Sequence, residues 1–212
     1  MAATRHSGLE CLRIISIILI VSMHILGNTF HTSNLLNKEF ILFVNTLGNT
    51  GVTLFILISG YFGIRFNTHK FFKMLVVVWF YSIVSYLIET IWLHTPHTWT
   101  GLASSLIPIL SKKYWFMTCY IALMLLAPYI NQIPEKMEKK EFEKLLLLCV
   151  TVFSVIPSIF FIADNVTADS GKGLVNMILM YLIGRYIRKY KDGAVPKRKA
   201  AILACAGVAS TF

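Results

Sequence analysis

Residues 9–28 read LECLRIISIILIVSMHILGN, an apolar run that only a few polar residues interrupt. A helix needs about 20 predominantly apolar residues to cross a bilayer, and this stretch has that length. Because the hydrocarbon core offers no water to backbone N–H and C=O groups, an α-helix is predicted here. The run resembles the apolar region of a secretion signal, but Arg13 breaks its front and no small-residue cleavage site follows it. We therefore predict a retained first transmembrane helix.

Five more stretches of the same character follow along the chain. They cover residues 40–64, 71–93, 114–132, 142–163 and 173–190. A last apolar run, over residues 200–212, is too short to cross a bilayer, so we expect the sequence to be truncated at its C-terminus. The hydrophobic content of 56% and the charged content of only 14% fit this division, because about 25% of the residues of a soluble domain are charged.

The predicted fold class is therefore all-α, a polytopic transmembrane helix bundle with six complete helices and a partial seventh. We expect a single membrane-embedded domain over residues 1–212, with the lipid bilayer as its surroundings.

Basic residues predict the orientation of these helices. With a cytoplasmic N-terminus, 15 of the 20 Lys and Arg residues fall in cytoplasmic segments and 4 fall in outer loops, while Arg13 lies within the first helix. Positive charge gathers on the cytoplasmic side of membrane proteins. The net charge of +10 is thus interpreted as a topology signal, and no nucleic-acid partner is expected.

Cysteine and histidine spacing gives no sign of a metal site. The four cysteines lie far apart, in or beside apolar runs, at Cys11, Cys119, Cys149 and Cys205. No Cys-x-x-Cys pair and no Cys/His cluster with zinc spacing is present in the sequence. We interpret the cysteines as small apolar residues of helices and expect no metal.

Ionisable residues share one face of the predicted first helix. Arg13 and His24 are eleven residues apart, which is about three helical turns and roughly 16 Å along the axis. Glu10 lies three residues before Arg13 and can reach it. Snorkelling of the arginine and an interhelical hydrogen bond of the histidine are the structural alternatives. An ionisable residue inside a membrane is nevertheless a functional candidate by default, and an imidazole can accept and return a proton.

Four segments, in order along the chain, resemble motifs of the acyltransferase-3 family of membrane acyltransferases. They are Glu10–Ile15 with His24, Leu54–Phe62 ending in Ser-Gly-Tyr-Phe, Tyr114–Phe116 with Tyr120 and Ala127–Asn131, and, more weakly, Tyr181–Tyr186. The resemblance implies transfer of an acyl group, usually acetyl, from cytoplasmic acyl-CoA to a hydroxyl of a cell-envelope glycan or lipid-linked saccharide. It also implies a multi-pass protein of the bacterial plasma membrane.

The resemblance assigns His24 as the catalytic histidine, acting as base or acyl carrier, with Arg13 as its partner and Glu10 as the acid of the same motif. The family commonly carries further arginines after its Ser-Gly motif. In this sequence Arg65 is followed by lysines rather than by a clear second arginine.

Coenzyme A is highly anionic, so its phosphates require cations at the cytoplasmic side. We expect Arg65, Lys70 and Lys73 to bind the donor there. Ser59 and Gly60 are expected to contact the donor as well, with a small-residue packing contact as the alternative.

Two aromatic residues of the third motif, Trp115 and Tyr120, are the expected contacts of the acceptor saccharide, although aromatic residues are common at such positions. Two other interpretations of the whole chain stay open. It can be a subunit for polysaccharide export or transport, or it can be an inactive fragment.

Overall fold

A computed structural model describes residues 7–29, 35–111, 114–160 and 173–190 of the chain. Within these ranges the regular structure is helical and includes no strand, which confirms the predicted all-α class. The helices in chain order are α1 (Ser7–Thr29), α2 (Leu35–Phe62), α3 (Thr68–Ile91), α4 (Trp99–Leu106), α5 (Trp115–Ile130), α6 (Gln132–Lys136), α7 (Lys139–Val150), a π-helical turn (Thr151–Val155), α8 (Ile156–Phe160) and α9 (Leu174–Tyr190).

Four of the predicted spans correspond to segments that are long and apolar enough to cross a membrane. These segments are Ser7–Ile25, Lys38–Phe62, Thr68–Ile91 and Trp115–Lys136. The sixth predicted span is the helix α9, which has 17 residues. The seventh lies outside the described residues, so the total number of spans and the side of the N-terminus stay predictions.

The fifth predicted span is a helix with an irregular centre. The Ile156 N–H donates to the Thr151 carbonyl, five residues earlier, as in a π-helix. Pro157 follows directly, and a proline inside a helix lacks the N–H and crowds the carbonyl four residues before it. Widening of the preceding turn accommodates that missing hydrogen bond.

Large apolar side chains are exposed along the outer faces of the spanning segments. Examples are Ile14 and Ile18 in α1 and Phe72 and Phe80 in α3, each exposed by more than half. Exposure of this much apolar surface to water is unfavourable and rare in soluble proteins, whereas contact of the same surface with lipid is favourable. The exposed faces therefore fit a protein that is surrounded by a bilayer.

The chain divides into two compact units. The first unit takes its residues from Met1–Gly63, Lys136–Leu146 and Leu179–Phe212, and the second from Ile64–Glu135 and Leu147–Ile178. The expected single domain over residues 1–212 stays a prediction.

In the second unit, the short helix α4 packs against α3. The Trp79 indole N–H donates to the Leu106 carbonyl at 3.1 Å, and the buried hydroxyl of Tyr86 is in hydrogen-bond contact with His97 Nδ1. The eight residues of α4 are far fewer than a bilayer span needs.

Candidate functional site

The candidate site of the first unit is built around the C-terminus of α2. Gly63 has φ of 75°, a left-handed conformation that glycine adopts without steric cost. Its N–H donates to the carbonyls of Ser59 and Gly60, at 3.0 and 3.1 Å. These bonds satisfy carbonyls that the helix itself leaves free at its end. The Ser-Gly-Tyr-Phe motif is therefore the last turn of α2, and Gly63 ends the helix.

Close backbone contact joins this last turn to α9. A Cβ atom on Gly60 would collide with the Tyr181 carbonyl, and a Cβ atom on Gly184 would collide with the Leu57 carbonyl. Small residues at such crossings let two helix backbones approach closely. The Tyr181 side chain is fully buried there. Gly60 therefore makes the small-residue packing contact that was the alternative to donor binding. The expected contacts of Ser59 and Gly60 with the acyl donor stay predictions.

The glycine contact brings two arginines of α9 to the end of α2. Arg188 lies over the Tyr61 ring, 5.1 Å from its centroid, and its Nη1 donates to the Tyr61 hydroxyl at 3.0 Å. A Cβ atom on Gly63 would be 2.6 Å from Nη1 of Arg185, so the absence of a side chain at this position leaves room for that guanidinium. Both arginines therefore contact the segment Tyr61–Gly63.

A third arginine reaches the same segment from α1. Arg13 is half-buried, and its guanidinium carbon lies 5.4 Å from the centroid of the Phe62 ring. Arg13 comes from the first family-like motif and Phe62 from the second. We call Arg13, Arg185 and Arg188 the arginine cluster.

Helix α1 is held in this position by close packing on α2. A Cβ atom on Gly51 would be 2.9 Å from the Ser16 carbonyl, and one on Gly48 would collide with the Met23 side chain. Ser16 is completely buried, and its hydroxyl donates to the Leu12 carbonyl of its own helix. Contact along this face orients Arg13 toward the end of α2.

The other two predicted residues of α1 lie at its surface. His24 follows Met23 directly and is exposed, so the described residues do not enclose its imidazole. Glu10 is exposed as well, and within the described part of the chain no ion pair joins it to Arg13. The structure thus brings Arg13 alone of the three to the motif at the end of α2. The catalytic roles assigned to all three stay predictions.

The predicted donor-binding cations of α3 belong to the second unit. Arg65, Lys70 and Lys73 are all exposed around the N-terminus of that helix. Asn67 caps the helix, since its side chain accepts a hydrogen bond from the Lys70 N–H at 2.9 Å. The three cations are therefore accessible, and their part in donor binding stays a prediction.

The linker before α3 is also held by the third family-like motif. Asn131 follows α5, and its Nδ2 donates to the Ile64 carbonyl at 3.0 Å. This hydrogen bond joins residues 67 positions apart. It gives the asparagine of the motif a structural role in the second unit.

The predicted acceptor contacts lie at the beginning of α5. Trp115 and Tyr120 are both half-buried. Phe116 stacks on Tyr120 with an interplanar angle of 15°, at 5.9 Å, and meets the Trp115 ring edge-on. The three rings form a continuous aromatic surface that can pack on a saccharide ring, and the assignment of Trp115 and Tyr120 to the acceptor stays a prediction.

The second unit also contains an apolar cavity of about 390 Å³ between α3 and the segment after α4. Its lining residues are Leu75, Val76, Trp79 and the run Leu106–Leu110. It carries no titratable group and therefore offers no chemistry for acyl transfer.

Sequence reasoning placed Arg185 and Arg188 among the cytoplasmic topology residues and not in the site. Gly184 is the feature of the sequence that could have indicated them. A small residue such as this glycine permits a close helix crossing, for example with a Ser-Gly motif. Arg185 and Arg188, one and four positions later, would then lie near that crossing. The residues around Gly184 do not specify which helix packs against it, so this feature alone is weak evidence for a site.

Comparison with known proteins agrees with the motifs. The sequence profile of acyltransferase-3, described as an acyltransferase domain, matches residues 6–212. No curated protein and no solved structure matches the chain. The profile covers all four family-like segments, and in the described part of the chain four helices are apolar and long enough to cross a membrane. This membrane protein therefore belongs to the acyltransferase-3 family.

Proposed function

We propose that this protein is an O-acyltransferase of the bacterial plasma membrane. It moves an acyl group, preferably acetyl, from cytoplasmic acyl-CoA to a hydroxyl of a cell-envelope glycan or lipid-linked saccharide. The observation that carries the proposal is the contact between Arg13 and Phe62, at 5.4 Å, which joins the first and second family-like motifs. Two motifs that lie about fifty residues apart thus meet in one place, as parts of a single site do.

The proposed reaction requires a base, because a hydroxyl is a weak nucleophile until its proton is removed. In this proposal the acceptor oxygen forms an ester bond to the acyl carbon, and the carbon–sulfur bond of the thioester breaks. The proton passes from the hydroxyl to His24 and then to the departing thiolate of coenzyme A. In the rival route His24 first takes the acyl group on a ring nitrogen and passes it to the hydroxyl in a second step.

Helix geometry supports a donor that extends along α1. Arg13 and His24 are separated by roughly 16 Å of helix axis and share one face. With a cytoplasmic N-terminus, Arg13 is near the cytoplasmic end and His24 is deeper in the membrane. A donor that is anionic at one end and carries its thioester on a long flexible arm fits this separation, and acyl-CoA is such a donor.

The same orientation gives the remaining residues their proposed roles. The cations Arg65, Lys70 and Lys73 face the anionic donor at the cytoplasmic side, where their exposure leaves them accessible. The aromatic surface of Trp115 and Tyr120 contacts the acceptor. No metal takes part in the proposal, because a thioester is already an activated acyl group.

The decisive experiment combines transfer from acetyl-CoA by the purified protein with mass analysis of envelope glycans from cells. His24→Ala should lower transfer by about 100-fold or more, the usual contribution of a general base, and should remove the acyl groups but leave the glycan itself. His94→Asn is the matched control, because His94 is an exposed histidine with φ of 52° and asparagine tolerates that conformation.

Normal acylation in His24→Ala cells would refute the assignment of His24. Loss of the whole surface polymer, rather than of its acyl groups, would favour a role in polysaccharide export.

A further inference from the structure

The helix α4 of the second unit runs back along α3, from near the end of that helix toward its middle. At the start of α4, the Tyr86 hydroxyl donates to the Thr98 carbonyl at 3.3 Å. At its end, the Trp79 indole donates to the Leu106 carbonyl at 3.1 Å. Tyr86 and Trp79 are seven residues apart, which is about 10 Å of helix axis. The chain that follows α4 therefore lies beside the middle of α3, a helix long and apolar enough to cross a membrane.

The helix α5 places the same stretch of chain at a similar depth. The Asn131 side chain bonds the Ile64 carbonyl, which holds the end of α5 at the level of the linker before α3. The Thr118 hydroxyl donates to the Ile109 carbonyl at 2.6 Å. Thr118 lies about 20 Å of helix before Asn131, and Trp79 lies about 17 Å after the first residue of α3. Because the hydrocarbon core is about 30 Å thick, the chain after α4 lies inside it.

Side chains provide the hydrogen bonds that this irregular chain needs at such a depth. The Ser111 hydroxyl is within hydrogen-bond distance of the Ser104 and Pro108 carbonyls, at 3.1 and 3.2 Å. The bonds from Trp79 and Thr118 serve two further carbonyls. Irregular backbone inside a membrane is tolerated where the protein itself satisfies its polar groups. We call residues 99–111 the re-entrant segment.

The apolar cavity of about 390 Å³ lies between α3 and the re-entrant segment, at this depth. Aliphatic side chains, a proline and the Trp79 indole line it, and the indole N–H is already bonded. Val76 and Leu110 are exposed by 61% and 79%, so the cavity is open at the surface of the helices. An open cavity without a free donor, in the hydrocarbon core, suits a hydrocarbon chain, which is held there by van der Waals contacts.

The cavity adjoins one of the predicted contacts of the acceptor. Thr118 bonds Ile109, which lines the cavity. Trp115 lies one helical turn before Thr118 on the same face of α5, about 5 Å nearer the end of that span. A molecule whose chain occupies the cavity therefore has its head group close to the aromatic surface at the beginning of α5.

We propose that the cavity binds the hydrocarbon chain of a lipid-linked saccharide and so brings the saccharide to this aromatic surface. The inference rests on the proposed function, and it narrows the acceptor from envelope glycans in general to saccharides with a lipid anchor. A glycan without an anchor gains no contact from the cavity. Two other hydrocarbon chains, those of bilayer lipid and of a long-chain acyl donor, are the alternatives that the experiment distinguishes.

The test is photolabelling of the purified full chain in nanodiscs of phosphatidylcholine. The probe is a farnesyl glucoside with a diazirine in its farnesyl chain, and mass spectrometry identifies the labelled peptides. We expect saturable labelling of the peptides that contain residues 75–79 and 106–110. Unlabelled farnesyl glucoside should compete with the probe, and methyl glucoside, which has no chain, should not.

A substitution that fills the cavity should prevent this labelling. Val76→Trp is expected to lower labelling about tenfold or more, because extra volume in an apolar pocket excludes its ligand. Val77→Trp is the matched control, since Val77 is an adjacent, exposed valine of α3 that is not part of the cavity lining. Its labelling should stay within about twofold of the parent. If Val76→Trp does not fold, the pair Val76→Phe and Val77→Phe, which adds less volume, replaces it.

Equal labelling of Val76→Trp and the parent would overturn the proposal, and so would an equal loss in both variants. Labelling to the same extent by a phosphatidylcholine with a diazirine in its chain would assign the cavity to bilayer lipid and overturn it as well. Competition by palmitoyl-CoA but not by unlabelled farnesyl glucoside would assign the cavity to the acyl chain of the donor, with the same consequence.

Acylation in cells separates this inference from the proposed function. Cells with Val76→Trp should lose most acyl groups of the envelope glycan, whereas cells with Val77→Trp should keep them. Normal acylation with Val76→Trp, together with its loss in His24→Ala, would overturn the cavity assignment and retain the proposed function. Labelling of the cavity in a parent protein that transfers no acyl group would retain the lipid site and refute the proposed function.

Discussion

The guanidinium of Arg188 contacts Tyr61 in two ways, over the ring at 5.1 Å and through a 3.0 Å hydrogen bond from Nη1 to the hydroxyl. The two residues are 127 positions apart in the chain. Tyr61 is buried, so its ring offers a low-dielectric surface on which a cation–π contact is stronger than in water. This pair therefore connects the end of α9 to the family-like motif at the end of α2.

Removal of the Tyr61 hydroxyl should weaken this connection without changing the packing of the ring. Tyr61→Phe is expected to lower the free energy of unfolding by about 1 kcal/mol, since a hydrogen bond with a charged donor is lost. Thermal unfolding of the protein in detergent measures the change. Tyr129→Phe is the control, because the Tyr129 side chain is exposed by 71%. Equal stability of Tyr61→Phe and Tyr129→Phe would show that the bond contributes nothing.

The crossing of α2 and α9 should tolerate no side chain at its glycines. Gly60→Ala and Gly184→Ala each place a methyl group against a backbone carbonyl, which cannot move as a flexible side chain can. We expect each variant to lose about 1–3 kcal/mol of stability, as overpacked cores do. Gly8→Ala is the control, since nothing lies within 4 Å of a Cβ atom there. It should leave stability unchanged or raise it slightly, because alanine favours the helix. A similar loss in all three variants would contradict the close crossing.

Two adjacent residues of α1 should differ in how much their substitution lowers the stability of the protein. Met23 packs against Gly48, whereas His24 is exposed. Met23→Ala should lower the free energy of unfolding by about 1–3 kcal/mol, less than for a fully buried methionine. His24→Ala should change it by about 0.5 kcal/mol or less, as exposed positions do. Unfolding of His24→Ala at a clearly lower temperature than the parent would mean that loss of transfer in this variant reflects folding and not chemistry.

The third family-like motif should stabilise the linker before α3. Asn131→Ala removes the donor to the Ile64 carbonyl and is expected to cost about 1–2 kcal/mol. Gln132→Ala is the neighbouring control, because its exposed side chain donates a longer bond of 3.3 Å to Pro128 in its own segment. Thermal unfolding of both variants compares the two bonds. An Asn131→Ala protein as stable as Gln132→Ala would remove the structural role assigned to Asn131.

The irregular centre of the fifth predicted span should become regular when its proline is replaced. Pro157→Ala restores an N–H and relieves crowding at the Phe153 carbonyl, so amide hydrogen exchange across Thr151–Val155 is expected to slow. Pro134→Ala is the control, because Pro134 is in the first turn of α6, where a helix has no partner for the N–H. Unchanged exchange in Pro157→Ala would show that another contact causes the π-helical turn.

The sequence alone was sufficient to predict that the chain is helical and to predict the approximate bounds of its apolar segments. Residues 9–28 and 71–93 were predicted as spans. Helix α1 covers the first range, and α3 begins three residues before the second range and ends two residues before its end. The reason is physical: in a medium without water, a long apolar segment satisfies its backbone only by local hydrogen bonds, so length and composition determine the element. Pro157 shows the limit of this reasoning, because an apolar count over residues 142–163 did not include the cost of a missing N–H.

The tertiary structure decided which helix faces meet. Periodicity predicted that Arg13 and His24 share a face, but the face of α1 that packs on α2 depends on Gly48 and Gly51, where small residues permit contact. The approach of Gly60 and Gly184 then brings Arg185 and Arg188 to Tyr61, which no local pattern encodes. Helix formation depends on neighbours a few residues away, whereas the choice of a packing partner depends on matching surfaces that lie more than a hundred residues apart. For this reason the sequence predicted the helices and the family motifs, whereas the arginine cluster could be identified only from the tertiary structure.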